Sequence, residues 1–261
     1  MRKEITFDER KRIQLDMLDE FQGFCDNRGI RFSLAYGTLI GAIRHKGYIP
    51  WDDDVDIMIP LPDMIRLKKE FESNNIKYCD IDTEKHFGFG FSRLAYLKTY
   101  SRIGVCFKSY GVNIDVYPVL SVGDTIEARD VYFEKGKLLL ERRLSYIRWR
   151  SRALRYLPVL TIPGFDKSVR VYRDYMLNNS CPYGTTNHYF VFGGDLTKKE
   201  RELCTYNFDL FSGLIKVDFE GLKLNAIERY HDFLTYYYGD YMQLPPESER
   251  HPYHGGQYFW K

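Results

Sequence analysis

Six consecutive residues, Trp51-Asp52-Asp53-Asp54-Val55-Asp56, hold four carboxylates and run directly into Ile57-Met58-Ile59, which Pro60 closes. An apolar run of that length stopped by proline reads as a strand, Val55 to Ile59. The two-residue period of a strand puts Asp54 and Asp56 on one face. Carboxylates held so close repel each other and cost more to ionise. A hard divalent cation relieves that repulsion, and Mg²⁺ takes oxygen ligands while leaving positions open for phosphate. Asp-x-Asp alone is equally a solvated acidic turn, so its surroundings decide.

Upstream, Ile30 to Tyr36 alternates as a strand and Gly37-Thr38 breaks it. Leu39 to Arg44 then reads as a short helix, and His45 to Pro50 as a loop. Backbone N–H groups at such a helix start suit an anionic phosphate. Gly37 and Thr38 are therefore candidate phosphate-binding residues, and Arg44, His45 and Lys46 add positive charge. Downstream, Val112 to Tyr117 alternates, with Asn113 and Asp115 on one face, before Pro118 stops it. If that strand lies beside the Val55 strand, Asp54, Asp56 and Asp115 converge on Mg²⁺, or Mn²⁺ in its place. A metal so held bridges phosphates and stabilises a leaving group. Asp52 is a candidate to orient the metal shell or accept a hydroxyl proton; the alternative is a turn residue. Asp53 points away from Asp54 and is the weakest candidate of the run.

The rest of the chain frames this block. Thr6 with Glu9 reads as a capping box opening a helix that Gly29 ends. Further helices are expected over residues 63–73, 125–157, 167–178 and 229–238. Strands are expected over 76–81, 87–96 and 189–192, with a hairpin over 215–224 turning at Glu220-Gly221. The tail from Gln243 reads as irregular. A net charge of +2 gives no nucleic-acid signal. Five cysteines, an odd count without close pairs, make neither a disulfide framework nor a zinc site. With no apolar leader and no run of about twenty apolar residues, the expectation is a cytoplasmic protein. Residues 142–155 carry six arginines interleaved with Leu, Tyr, Ile and Trp. That stretch is either a solvated helix face or a peripheral contact with anionic lipid at the inner face of the membrane.

The continuous block Tyr36-Gly37-Thr38-Leu39-Ile40-Gly41-Ala42-Ile43-Arg44-His45-Lys46-Gly47-Tyr48-Ile49-Pro50-Trp51-Asp52-Asp53-Asp54-Val55-Asp56-Ile57 resembles the signature of LicD-type transferases. The fukutin-related proteins share it, and both belong to the nucleotidyltransferase superfamily. Ile114-Asp115-Val116-Tyr117-Pro118 resembles the motif that supplies the family's third carboxylate. Gly193-Gly194, Phe219-Glu220-Gly221, and Tyr237 to Pro246 with Arg250 and His251 resemble its later features. The likeness spans residues 10–255 and is weak over 120–185. One departure is Leu224-Asn225-Ala226-Ile227, where such proteins commonly carry an apolar-proline step.

The resemblance implies an α/β (α+β) fold, a nucleotidyltransferase-like core with a short mixed sheet flanked by helices. That core would cover residues 1–122, with a helical insertion and C-terminal return segment over 123–261 completing the donor and acceptor site. It implies transfer of phosphocholine from a CDP-alcohol donor to a hydroxyl of a cell-surface glycan or a lipid-linked oligosaccharide precursor. Trp51, with Tyr117 and Tyr241, is a candidate to contact a quaternary ammonium. The alternatives are transfer of ribitol, glycerol or ethanolamine phosphate, true nucleotidyl transfer, or a degenerate glycan-binding module.

Overall fold

The computed structural model describes residues 3–103, 106–108, 110–153, 164–193, 196–252 and 256–261. Helix α1 (Phe7–Arg28) opens on the expected capping box: the Thr6 hydroxyl accepts from the Glu9 N–H, and the Glu9 carboxylate accepts from the Thr6 N–H. Gly29 closes it at φ 61°, a conformation glycine adopts without steric cost. There follow β1 (Ser33–Leu34), α2 (Tyr36–Ile40), a π-helical turn (Gly41–His45), β2 (Asp56–Pro60) and α3 (Leu61–Glu70). Next come β3 (Ile76–Cys79), β4 (Ser92–Tyr96), β5 (Thr99–Ile103), β6 (Cys106–Lys108) and β7 (Asn113–Val122). The chain continues through α4 (Ile126–Ala153), α5 (Phe165–Asn178), β8 (His188–Val191), α6 (Lys198–Leu203) and β9 (Thr205–Tyr206). It ends with β10 (Leu214–Phe219), β11 (Leu222–Ile227), α7 (Tyr230–Tyr238), a 3-10 turn (Glu247–Glu249) and β12 (Gln257–Trp260). The mixed α/β class expected from the sequence is the class observed.

Two compact units form. The first joins Met1–Tyr78, Arg93–Tyr117 and Leu210–Lys261; the second joins Cys79–Ser92 and Pro118–Asp209. In the first, the sheet order is β1-β2-β7-β4-β3. The Asp115 N–H donates to the Val55 carbonyl at 2.9 Å, so the two acidic segments do lie side by side. Phe21 of α1 packs edge-on to Phe32 at 4.9 Å, and both are fully buried. The Ser33 hydroxyl accepts from the Ile227 N–H at 2.9 Å, and the Gln22 side chain accepts from the Asn225 N–H at 2.9 Å. These bonds fix the β10–β11 hairpin. A proline at Asn225 could not donate, which accounts for the departure from the apolar-proline step.

Several sequence expectations change: the strand expected over Ile30 to Tyr36 narrows to Ser33–Leu34, and the one expected to stop at Pro118 runs on to Val122. The short helix starts at Tyr36, earlier than Leu39, because the Leu39 N–H already bonds the Ala35 carbonyl at 3.0 Å. Residues 99–108, not expected to be regular, form β5 and β6. The tail is not irregular throughout: β12 pairs antiparallel with β5 from Gln257↔Arg102 to Trp260↔Thr99. Four residues carry too little periodicity to announce a strand; its partner lies far away in sequence.

In the second unit, the later residues of β7 pair with β8 from Val119↔Val191 to Val122↔His188, and β9 pairs with β8. Tyr132 of α4 stacks on Tyr175 of α5 at 5.8 Å. Buried Arg173 reaches Asp82 at 2.8 Å and Asp80 at 3.5 Å. The strand expected over 87–96 is shorter, because Phe87, Phe89 and Phe91 pack on one another at 5.4 and 5.0 Å. Of the arginine-rich stretch, Arg142 is exposed and Arg143 donates to the Gly88 carbonyl. The side chains of 146–153 and all of 154–163 lie outside the described residues, and with them most of the surface considered for lipid. Gly194 lies outside them too. No described helix is long and apolar enough to cross a membrane.

Candidate active site

The strand expected from Val55 starts one residue later, at Asp56, and the reason is local. The Thr38 hydroxyl accepts the Asp56 N–H at 2.9 Å, and the Ala35 N–H donates to the Asp56 carbonyl at 2.9 Å. Thr38 is only 4% exposed, so its oxygen holds the start of β2. Gly37 has a different task. A Cβ there would stand 2.7 Å from Oδ2 of Asp52, so only glycine lets that carboxylate lie over the turn. Tyr36, just before it, takes φ 46°, which non-glycine residues adopt rarely and usually near functional sites. Its ring meets Tyr117 at 5.6 Å and Tyr237 at 5.1 Å.

The four carboxylates of the run divide. Asp53 is buried and pairs with buried Arg10 at 3.5 Å, so it anchors the loop to α1. Asp52 accepts the Asp53 N–H at 3.1 Å. Burial, then the neighbouring Asp54, pushes its carboxyl up to about 7. Burial, then Asp54, Asp115 and Asp52, holds Asp56 well above the ordinary carboxylate range. The Tyr117 hydroxyl opposes that shift by donating to Asp56 at 3.4 Å. Asp115 belongs to the same electrostatic group, but its carboxylate receives Arg93 at 2.6 Å.

Asp52, Asp54 and Asp56 line a cavity of about 600 Å³, walled also by Tyr36, Gly37, Arg44 and Trp51 and, from later in the chain, by residues between Tyr238 and Glu249. Both groups of residues belong to the first unit. Arg44 is tied to its wall: its guanidinium donates to the carbonyls of Tyr241 at 2.6 Å and Gln243 at 3.2 Å. His45 receives Arg44 Nε at 3.4 Å and meets Trp51 edge-on at 6.4 Å. Burial, then Arg44, lowers its affinity for a proton. The Arg250 guanidinium lies 5.5 Å from the centre of the Trp51 ring. Trp51 and Tyr241 thus reach the cavity, whereas Tyr117 is engaged with Asp56.

Sequence reasoning reads Glu220 as a turn residue and gives it no part in the site. Glu220 stands at the tip of the β10–β11 hairpin, and its carboxylate accepts the Tyr48 N–H at 3.0 Å. Its own N–H donates to the Lys46 carbonyl at 2.8 Å. Glu220 and Gly221 take φ 48° and 86°, the left-handed turn the Glu-Gly pair implies. The hairpin thereby holds the loop leading to Trp51. Its only sequence signal was the Phe-Glu-Gly pattern itself.

The donor set suits a cation. Asp54 and Asp56 concentrate negative charge at a cavity wall, and Asp56 is strained towards protonation by its neighbours. Among the described residues, however, no three Asp, Glu, His or Cys side chains already enclose a common metal position. Asp115, turned towards Arg93, is the carboxylate held back.

Comparison with known proteins gives a consistent picture. Residues 29–155 match the family model described as LicD/FKTN/FKRP, nucleotidyltransferase domain. The chain is 26% identical over 270 residues to the lipopolysaccharide cholinephosphotransferase LicD of Haemophilus influenzae, covering 97% of each chain. It is 34% identical over 68 residues to an uncharacterised protein of Rickettsia typhi, which is 26% of this chain and 22% of that one. A Rickettsia prowazekii protein, also uncharacterised, is 50% identical over 40 residues, 15% of each.

Proposed function

We propose that this chain, which matches the LicD-type family model over residues 29–155, is a transferase placing phosphocholine on a hydroxyl of a cell-surface glycan. The observation that carries the reading is the cavity in which Asp52, Asp54 and Asp56 stand beside aromatic rings. The full-length similarity to a lipopolysaccharide cholinephosphotransferase supports the group transferred and the class of acceptor. Trp51, Tyr238 and Tyr241, with Asp240 and Glu249, offer the ring faces and negative charge that attract a quaternary ammonium.

We propose a CDP-alcohol as donor and Mg²⁺ as cofactor, held by Asp54 and Asp56 with Asp115 as third ligand. Bound there, the ion would neutralise diphosphate charge and favour departure of CMP. The protein's own groups then have defined tasks. Asp52 accepts the proton of the acceptor hydroxyl. The hydroxyl oxygen forms a bond to the phosphorus that carries choline, and the bond from that phosphorus to the bridging oxygen of CMP breaks. Thr38 holds the backbone of Asp56, and Arg93 pairs with the Asp115 carboxylate.

A thermal-shift panel tests the reading, since a ligand that binds only the native state raises its stability. With Mg²⁺, CDP-choline is expected to raise the Tm more than CDP-ribitol or CDP-glycerol. Asp54→Asn should abolish the shift and lower turnover by about a hundredfold or more, the scale of losing one electrostatic stabiliser of a transition state. No shift with any CDP-alcohol, or a product that has gained CMP, overturns the proposal.

A further inference from the structure

We infer that Arg44 and Arg250 are positioning residues that clamp residues 241–246 in place as a wall of the cavity, and so set the room left for the alcohol end of the donor. The room for the alcohol rests on the reading that the cavity takes a CDP-alcohol; the clamp itself does not. Residues 241–246 lie between α7 and the 3-10 turn, in neither helix nor strand. All of them except Met242 line the cavity. Outside a ladder, their backbone groups need other partners, and Pro245 and Pro246 have no N–H to offer.

Guanidinium groups meet that need. Arg44 Nη1 donates to the carbonyls of Tyr241 at 2.6 Å and Gln243 at 3.2 Å. Arg250 Nε donates to the carbonyl of Pro245 at 2.9 Å. Alternate carbonyls along the wall thus end on two arginines. Each arginine also joins this wall to the acidic side. Arg44 stands in the π-helical turn before the acidic run. Arg250 sets its guanidinium carbon 5.5 Å from the centre of the Trp51 ring. A further tie comes from α7, where His231 Nδ1 lies 3.0 Å from the Tyr241 hydroxyl. A guanidinium suits this task, because its N–H groups stand in one rigid plane and it has no acceptor of its own. Arg44 then serves the donor through Tyr241 and Gln243, in place of the phosphate contact expected from its charge.

Hydrogen–deuterium exchange on the full-length protein, without ligand, reads the clamp. Within the wall, the Tyr241 N–H bonds the Gly239 carbonyl at 2.9 Å and the Gln243 N–H bonds the Asp240 carbonyl at 3.2 Å. Arg44→Met and Arg250→Met each keep an apolar stem and remove the donors. In either variant these two amides should exchange about tenfold faster, the weight of one hydrogen bond made by a charged group, while those of β2 keep their rate. Isothermal titration then separates positioning from phosphate contact. Arg44→Met should weaken CDP-choline about tenfold, as when a preorganised wall is loosened, and leave CDP, which has both phosphates and no alcohol, within about twofold of the wild type. Unchanged exchange at Tyr241 and Gln243 overturns the inference, and so does an equal loss of CDP and CDP-choline affinity. If Arg44→Met does not fold, as judged by circular dichroism, Arg250→Met decides by the same two measurements. A wild type that binds no CDP-alcohol overturns the donor reading alone, and the clamp then stands or falls on the exchange.

Discussion

Thr38 and Asp52 carry the site's tension at the scale of single residues. Thr38 gives its oxygen to the Asp56 N–H inside a dry turn, so Thr38→Val leaves a buried donor without its acceptor. The expected cost is about 1–3 kcal/mol, read as a lower denaturation midpoint at unchanged slope. Asp52, raised to about 7 by burial and then by Asp54, binds a proton more readily folded than unfolded. Between about pH 4 and pH 7 the native state therefore holds the extra proton, and stability falls as pH rises through that window. The metal-free protein should melt higher at pH 5.5 than at pH 8, and Asp52→Asn should flatten that dependence. A wild-type Tm that rises with pH across the window, with no flattening in the variant, would contradict the assignment. That Asp54 and Asp56 face one cavity was legible from their spacing together with the Gly-Thr turn and strand around them, because such signals are local. Arg93 was not: it meets Asp115 from another strand, and no local pattern ties the two. Nor did spacing reveal that Asp53 pairs with Arg10.

Among the elements, the β10–β11 hairpin does the most for the site while contributing no residue to the cavity wall. Its tip residue Glu220 captures the Tyr48 N–H, and Phe219 meets the Tyr48 ring edge-on at 4.8 Å. Glu220→Ala removes the acceptor and frees the loop that ends at Trp51. We expect KM for the donor to rise several-fold with a smaller change in kcat, the pattern of lost positioning. A loss confined to kcat would place Glu220 in the chemistry instead. The hairpin's existence was visible in its Glu-Gly turn, since left-handed φ values select such residues. Its target was not visible, because docking depends on burial and register that a single segment does not encode. The π-helical turn between Gly41 and His45 was similarly hidden: five residues are too few for their period to be told from that of an α-helix.

The whole molecule gathers its first unit from three separated stretches of chain. Residues 210–261 supply β10, β11, α7 and β12 to the same unit as the acidic strand. A chain cut after Asp209 should therefore lose the Mg²⁺-dependent response to CDP-alcohols together with much of its cooperative melting. Retention of both would show that the earlier stretches suffice. The sequence disclosed the α/β class, since its runs of apolar period two and period 3.6 are local signals. It left the ordering of the tail unread, because β12 is recognisable only once β5 is in place.

The walls of the cavity have a history as well as a geometry. Tyr36 to Asp56 are synthesised well before Tyr238 to Glu249. Until the later residues are made, the acidic segment lacks part of its enclosure, and the carbonyls of Tyr241 and Gln243 that receive Arg44 do not yet exist. The cavity can therefore close only after that later stretch has been added, however early the acidic segment is made.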